Sequence, residues 1–155
     1  MDREKVKQIL IFFSDIDGRI AFNAQLINDM EDKYYSLNSG RRQDGMPKAK
    51  HRTSNPTESA ALNIPKAASE AIRQWQDENE RLSKLKAAIA WELSRLPQAQ
   101  RAVIYDFYVR GHKWARIARR LNYSERQCQN IRDNALDRLR CSFSNNKLIA
   151  EAEIS

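Results

Sequence analysis

Apolar spacing limits this chain more than any other feature. Val6, Ile9, Phe13, Ile16, Ile20, Ala24, Ile27, Met30, Tyr34 and Leu37 follow one another by three or four positions. Ile72, Trp75, Leu82, Leu85, Ile89, Leu93 and Leu96 form a second apolar stripe, interrupted at Asn79. Such steps gather apolar side chains on one side of a helix, whereas a strand requires strict alternation. Four glycines and four prolines in 155 residues leave little turn punctuation for a β fold. The expectation is an all-α chain.

The first stripe predicts a helix over roughly Arg3 to Leu37, with Gly18 as a point of bending or fraying. The second predicts a helix over Ile64 to Leu96, with Pro65 in its first turn. Between them, residues 38–62 carry Ser, Asn, Gly and Pro and few large apolar side chains, the composition of a loop. The two helices are long enough to run antiparallel as a coiled-coil-like hairpin, and Asn79 within the seam would set its register. The same seam would also serve a homodimer. Trp75 and Trp91 are expected as core anchors. Leu96-Pro97 marks the next boundary, because the residue before a proline disfavours helix.

Three shorter helices are expected beyond it. The first covers Gln98 to Arg110 and stops at Gly111. The second covers Lys113 to Leu121, with Trp114, Ile117, Ala118 and Leu121 on one face. Asn122 is suited to a left-handed turn position. Ser124 is an N-cap for the third helix, and Gln127 three residues on completes a capping box. That helix runs from Glu125 to Phe143, with Cys128, Ile131, Ala135, Leu139 and Phe143 facing inward. The small Ala118 lets two helices approach closely. This order, with its turn and cap, is that of a helix-turn-helix. The architecture expected is thus a hairpin over 1–96, a three-helix motif over 97–143 and a flexible tail over 144–155.

Charge supports a polyanionic partner. The net charge is +7 and the sequence pI is near 9.6. Between Arg101 and Arg140 there are ten Arg/Lys against four Asp/Glu, and between Asn38 and Pro56 five against one. The rest of the chain is net acidic. The basic residues Arg41, Arg42, Lys48, Lys50 and Arg52 are candidates for phosphate contact from the loop, beside the plainer reading of a solvated linker. N-terminal residues of a recognition helix reach base edges in the major groove. Arg126, Gln129 and Asn130 supply the groups that pair with guanine and adenine, and Glu125 and Gln127 stand beside them. Lys113, Arg116, Arg119, Arg120, Ser124 and Arg132 are the expected phosphate contacts.

Other chemistries find little footing. Cys128 and Cys141 lie thirteen residues apart on one expected helix, too far for a disulfide. No Cys/His cluster suggests a metal, no phosphate loop or nucleophile–base pair suggests an enzyme, and no cofactor is expected. The apolar run from Ile9 to Phe13 is too short to span a membrane. A cytoplasmic setting and no membrane partner are the corresponding expectations.

Leu96-Pro97, Arg101, Val103-Ile104, Tyr108, Gly111, Trp114, Ile117-Ala118, Leu121, Tyr123 to Arg126 and the run Ile131 to Arg140 together resemble the fourth region of bacterial sigma factors. The layout of a long helix, polar loop, second helix and this motif resembles phage late transcription regulators of the ArpU/RinA type. The resemblance implies a transcription activator of phage or prophage late genes, binding promoter DNA and acting with host RNA polymerase. Glu125 and Gln127 stand where many sigma factors carry Arg, so a different promoter sequence is implied. Two alternatives from other classes are a packaging component resembling a phage terminase small subunit, which would form rings, and a helical interaction protein that binds RNA polymerase.

Overall fold

The computed structural model describes residues 1–43 and 65–154. Among these residues there is no strand, and helix accounts for nearly all of the chain. The elements are α1 (Arg3–Gln43), α2 (Lys66–Ser94), α3 (Gln98–Ile104), a π-helical turn (Tyr105–Val109), α4 (Trp114–Leu121), α5 (Glu125–Asn145) and α6 (Lys147–Ala150). The all-α expectation holds.

Local chemistry explains where these helices begin and end. Asp2 Oδ1 accepts from the Lys5 amide at 2.8 Å, capping α1. Gly18 does not break α1, which also runs on past Leu37 to Gln43 and so takes in Arg41 and Arg42. Lys48, Lys50, Arg52 and the rest of the expected loop from residue 44 lie outside the described residues. Pro65 accepts from the Ser69 amide through its carbonyl and opens α2. At the other end of α2 the Arg101 guanidinium donates to the Ser94 carbonyl at 3.0 Å, satisfying one of the last carbonyls before the Pro97 corner.

The chain forms two compact units, residues 1–18 with 81–155, and residues 19–80. The divisions fall inside α1 and α2 rather than at the Leu96-Pro97 corner. The first unit therefore includes the start of α1 and the end of α2 along with α3 to α6 and the π turn. Its core contains Val6, Ile9, Leu10, Ile16, Leu82, Ile89, Leu93, Ile104, Leu136, Leu139 and Phe143, each almost fully buried. Burying one such side chain is worth roughly 1.5–3 kcal/mol. Polar links join distant parts of this unit. Arg3 donates twice to Asp137, at 2.6 and 2.8 Å, Arg140 reaches the Met1 carbonyl, and Lys86 pairs with Asp17. The Arg3 bond holds the Asp137 carboxyl below its ordinary range.

The second unit rests on the seam. Asn23 Nδ2 donates to Asn79 Oδ1 at 2.9 Å, and Asn79 Nδ2 donates to the Ile20 carbonyl. The interruption of the second stripe is thus a side-chain pair between α1 and α2. Ile20, Ala24, Ile27, Met30 and Tyr34 are half-buried along α1, as the spacing predicts.

Two expectations are corrected. Trp91 is 64 % exposed and anchors no core, because it lies two positions from both Ile89 and Leu93 and so faces away from them. The tail does not fray from residue 144. α5 continues to Asn145, and α6 brings Ile149 into full burial, while Asn146 Nδ2 donates to the buried Glu92 at 3.1 Å.

Candidate nucleic-acid interface

The three-helix motif is held by a small core of Val103, Ile117, Ala118 and Cys128, with Phe107, Trp114, Leu121 and Ile131 packed on it. Burial pushes the Cys128 thiol up, so it fills space rather than reacts. Phe107 stacks on Trp114 with ring centroids 4.3 Å apart, and the Arg132 guanidinium covers the Trp114 ring at 5.2 Å.

The expected helix over residues 98–110 widens into the π turn at Tyr105. The Arg110 amide bonds back to the Tyr105 carbonyl and the His112 amide to the Asp106 carbonyl. Gly111 follows at φ 69°. A Cβ there would meet nothing within 4 Å among the described residues, so it is the backbone conformation that favours glycine. The second connection follows the sequence reading closely. Asn122 is left-handed, at φ 58° and ψ 39°, and the Tyr123 amide closes on the Ala118 carbonyl at 3.1 Å. The Asn122 amide bonds to the same carbonyl, so a left-handed residue ends α4 with two amides on Ala118. Ser124 Oγ then accepts from the Gln127 amide at 3.0 Å and starts α5. The Gln127 side chain makes no hydrogen bond among the described residues and is exposed.

These two connections fix which side chains face outward at the start of α5. Glu125, Arg126, Gln127 and Asn130 are exposed, and Gln129 is half-buried. Arg126, Gln129 and Asn130 lie three and four residues apart, on one helical face. At the start of α4, Lys113 is the N-cap residue and provides no side-chain cap. The leading amides of α4 and the Lys113 ammonium there suit an oxyanion. Lys113, Arg116, Arg119 and Arg126 are exposed and form no ion pair among the described residues.

Two of the expected phosphate contacts have other partners. Arg120 donates to Asp106 at 2.8 Å, and Arg132 pairs with Asp133 while lying over the aromatic stack, with 24 % of its side chain exposed. The sequence reading missed Asp106, which is fully buried, and Arg110, which donates to it at 2.5 Å. The separation of four between Asp106 and Arg110 was the available signal. Ser124 is exposed but spends its hydroxyl oxygen on the cap. Among the described residues, no group of His, Cys, Asp and Glu could hold a metal ion, and no helix is long and apolar enough to cross a membrane. Both cysteines are free. Comparison with family models, with curated proteins and with solved structures finds no match to this chain.

Proposed function

We propose that this chain is a sequence-specific DNA-binding transcription regulator whose three-helix motif docks α5 in the major groove. The observation that carries the reading is the pair of connections around α4. A left-handed Asn122 and a Ser124 cap begin α5 where Arg126, Gln127 and Asn130 are exposed, and Lys113, Arg116 and Arg119 are exposed cations without an ion pair among the described residues. Base-reading groups at the head of a helix and unpaired cations on the element before it are the two parts that duplex recognition requires. The resemblance to sigma region four extends the proposal to promoter DNA, with bacterial RNA polymerase as partner and phage late genes as the target.

Selection of duplexes from random DNA, followed by transcription with purified bacterial polymerase, tests it. One defined motif should emerge, and affinity should fall steeply with salt. Arg126→Ala should relax preference at one base pair, at a cost of about 1–3 kcal/mol for the favoured base. Selection that returns no motif refutes the reading.

A further inference from the structure

We propose that Asp106 holds Arg110 and Arg120 as a guanidinium pair that grips one phosphodiester of the DNA backbone, an inference that rests on the DNA-binding reading above. Asp106 is fully buried at the π turn. A single oxygen, Oδ1, accepts from Nη1 of both arginines, at 2.5 and 2.8 Å. The other oxygen, Oδ2, is buried and has no hydrogen-bond partner among the described residues. The two guanidiniums therefore crowd one oxygen of the carboxylate instead of dividing between its two.

That arrangement leaves charge over. Two guanidiniums face one carboxylate, so the cluster carries a formal surplus of one positive charge. Pinning the π turn to the end of α4 needs Arg120 alone, and bringing Arg110 to the same oxygen sets two like charges side by side. Each arginine side chain is about half exposed, 48 % for Arg110 and 49 % for Arg120. A guanidinium has five N–H donors in a rigid fork, and Asp106 takes one from each. The remaining outward donors match an anion with two or more oxygens, and a phosphodiester offers two on one phosphorus. Asp106 is fully enclosed and does not touch the phosphate. It is a positioning residue, and Arg110 and Arg120 make the contact. Arg110 thereby joins the candidate interface, and Arg120 keeps a place there with a defined orientation.

The test uses the full chain and its selected duplex, with binding measured across a salt series. Each phosphate neutralised contributes about 0.9 to the slope of log K against log salt. Arg110→Gln and Arg120→Gln should each lower the slope by about one. The double variant should lower it by no more than that, because the pair shares one phosphate. The selected motif should stay the same in all three. Replacing backbone phosphates one at a time by neutral methylphosphonate should reveal a position that weakens the wild type and leaves the double variant unaffected. Asp106→Asn removes a negative charge, so a role through net charge alone predicts tighter binding. Positioning predicts binding weaker by roughly tenfold, the loss of about 1.4 kcal/mol. If Asp106→Asn does not fold, as a circular dichroism melt would show, the arginine series and the phosphate scan decide. Unchanged slopes, a doubled loss in the double variant, or tighter binding by Asp106→Asn overturns this inference alone. A wild type without salt-sensitive duplex binding overturns the DNA reading and this inference together.

Discussion

Ala118→Leu tests whether the close approach of α4 to α5 sets the geometry of recognition. Ala118 is 9 % exposed and sits in the cluster with Val103, Ile117 and Cys128, each fully buried. Leucine adds three carbons to this packed cluster. Overpacking of this kind costs about 1–3 kcal/mol. For a chain of this size each kcal/mol lowers the melting temperature by about 2–4 °C, so a fall of about 2–12 °C is expected. Ala115→Leu is the control, since Ala115 lies in the same helix and is exposed. Both variants change helix propensity alike, and their difference isolates packing. The functional effect should be selective. If α5 is displaced, each bidentate pairing with a base that no longer forms removes about 1–3 kcal/mol of discrimination, while binding driven by phosphates persists. Thermal melts and duplex selection on both variants supply the measurements. An Ala118→Leu protein that melts with Ala115→Leu and selects the wild-type motif would refute the argument.

Three further outcomes are expected. Ser124→Ala removes the cap on the Gln127 amide and should cost about 1 kcal/mol in urea unfolding, with faster hydrogen exchange at Gln127; unchanged exchange there counts against the cap. Asn79→Leu strands the Asn23 amide and should cost about 1 kcal/mol, whereas Asn23→Leu/Asn79→Leu should recover that loss, and additive single effects would show that the pair is not coupled. The Asp137 carboxyl is held below its ordinary value by Arg3, so this link stabilises the fold above that value and is lost as pH falls through the lowered one. Arg3→Gln should therefore destabilise the chain slightly at neutral pH, and the difference should shrink as pH falls below the ordinary carboxylate range; a difference that does not shrink in acid would refute the assignment.

The parts of this fold that could be read in the sequence are those set by neighbouring residues. The left-handed Asn122, the Ser124 cap and the stop at Gly111 each depend on a few adjacent side chains, and all three stand where they were expected. The Asn79 interruption announced a polar seam position, although only the structure supplies Asn23 as its partner. The exposure of Trp91 was also legible, since two positions separate it from Ile89 and Leu93. Its size suggested an anchor, but its phase on the helix decides where it faces. By contrast, nothing local ties Arg3 to Asp137, or Asn146 to Glu92. These links depend on how helices come together in the first unit, and so does the division of the chain within α1 and α2 instead of at Pro97.

The candidate site shows why counting cations is a weak guide to a DNA-facing surface. A basic side chain contributes to phosphate binding only what its internal acid or ring partners leave over, so that Arg110 and Arg120, sharing Asp106, count as one cation between them. Arg120 is engaged by Asp106, fourteen residues away, and Arg132 by Asp133 and the Phe107–Trp114 stack. Lys113, Arg116, Arg119 and Arg126 have no such partner among the described residues. The formal surplus of six between Arg101 and Arg140 is therefore unevenly available. Arg132→Gln should disturb the aromatic stack more than the salt slope, and Arg119→Gln should do the reverse. Two arginines of equal charge in the same motif thus differ in role because one has an aromatic and acidic neighbourhood and the other is exposed to solvent.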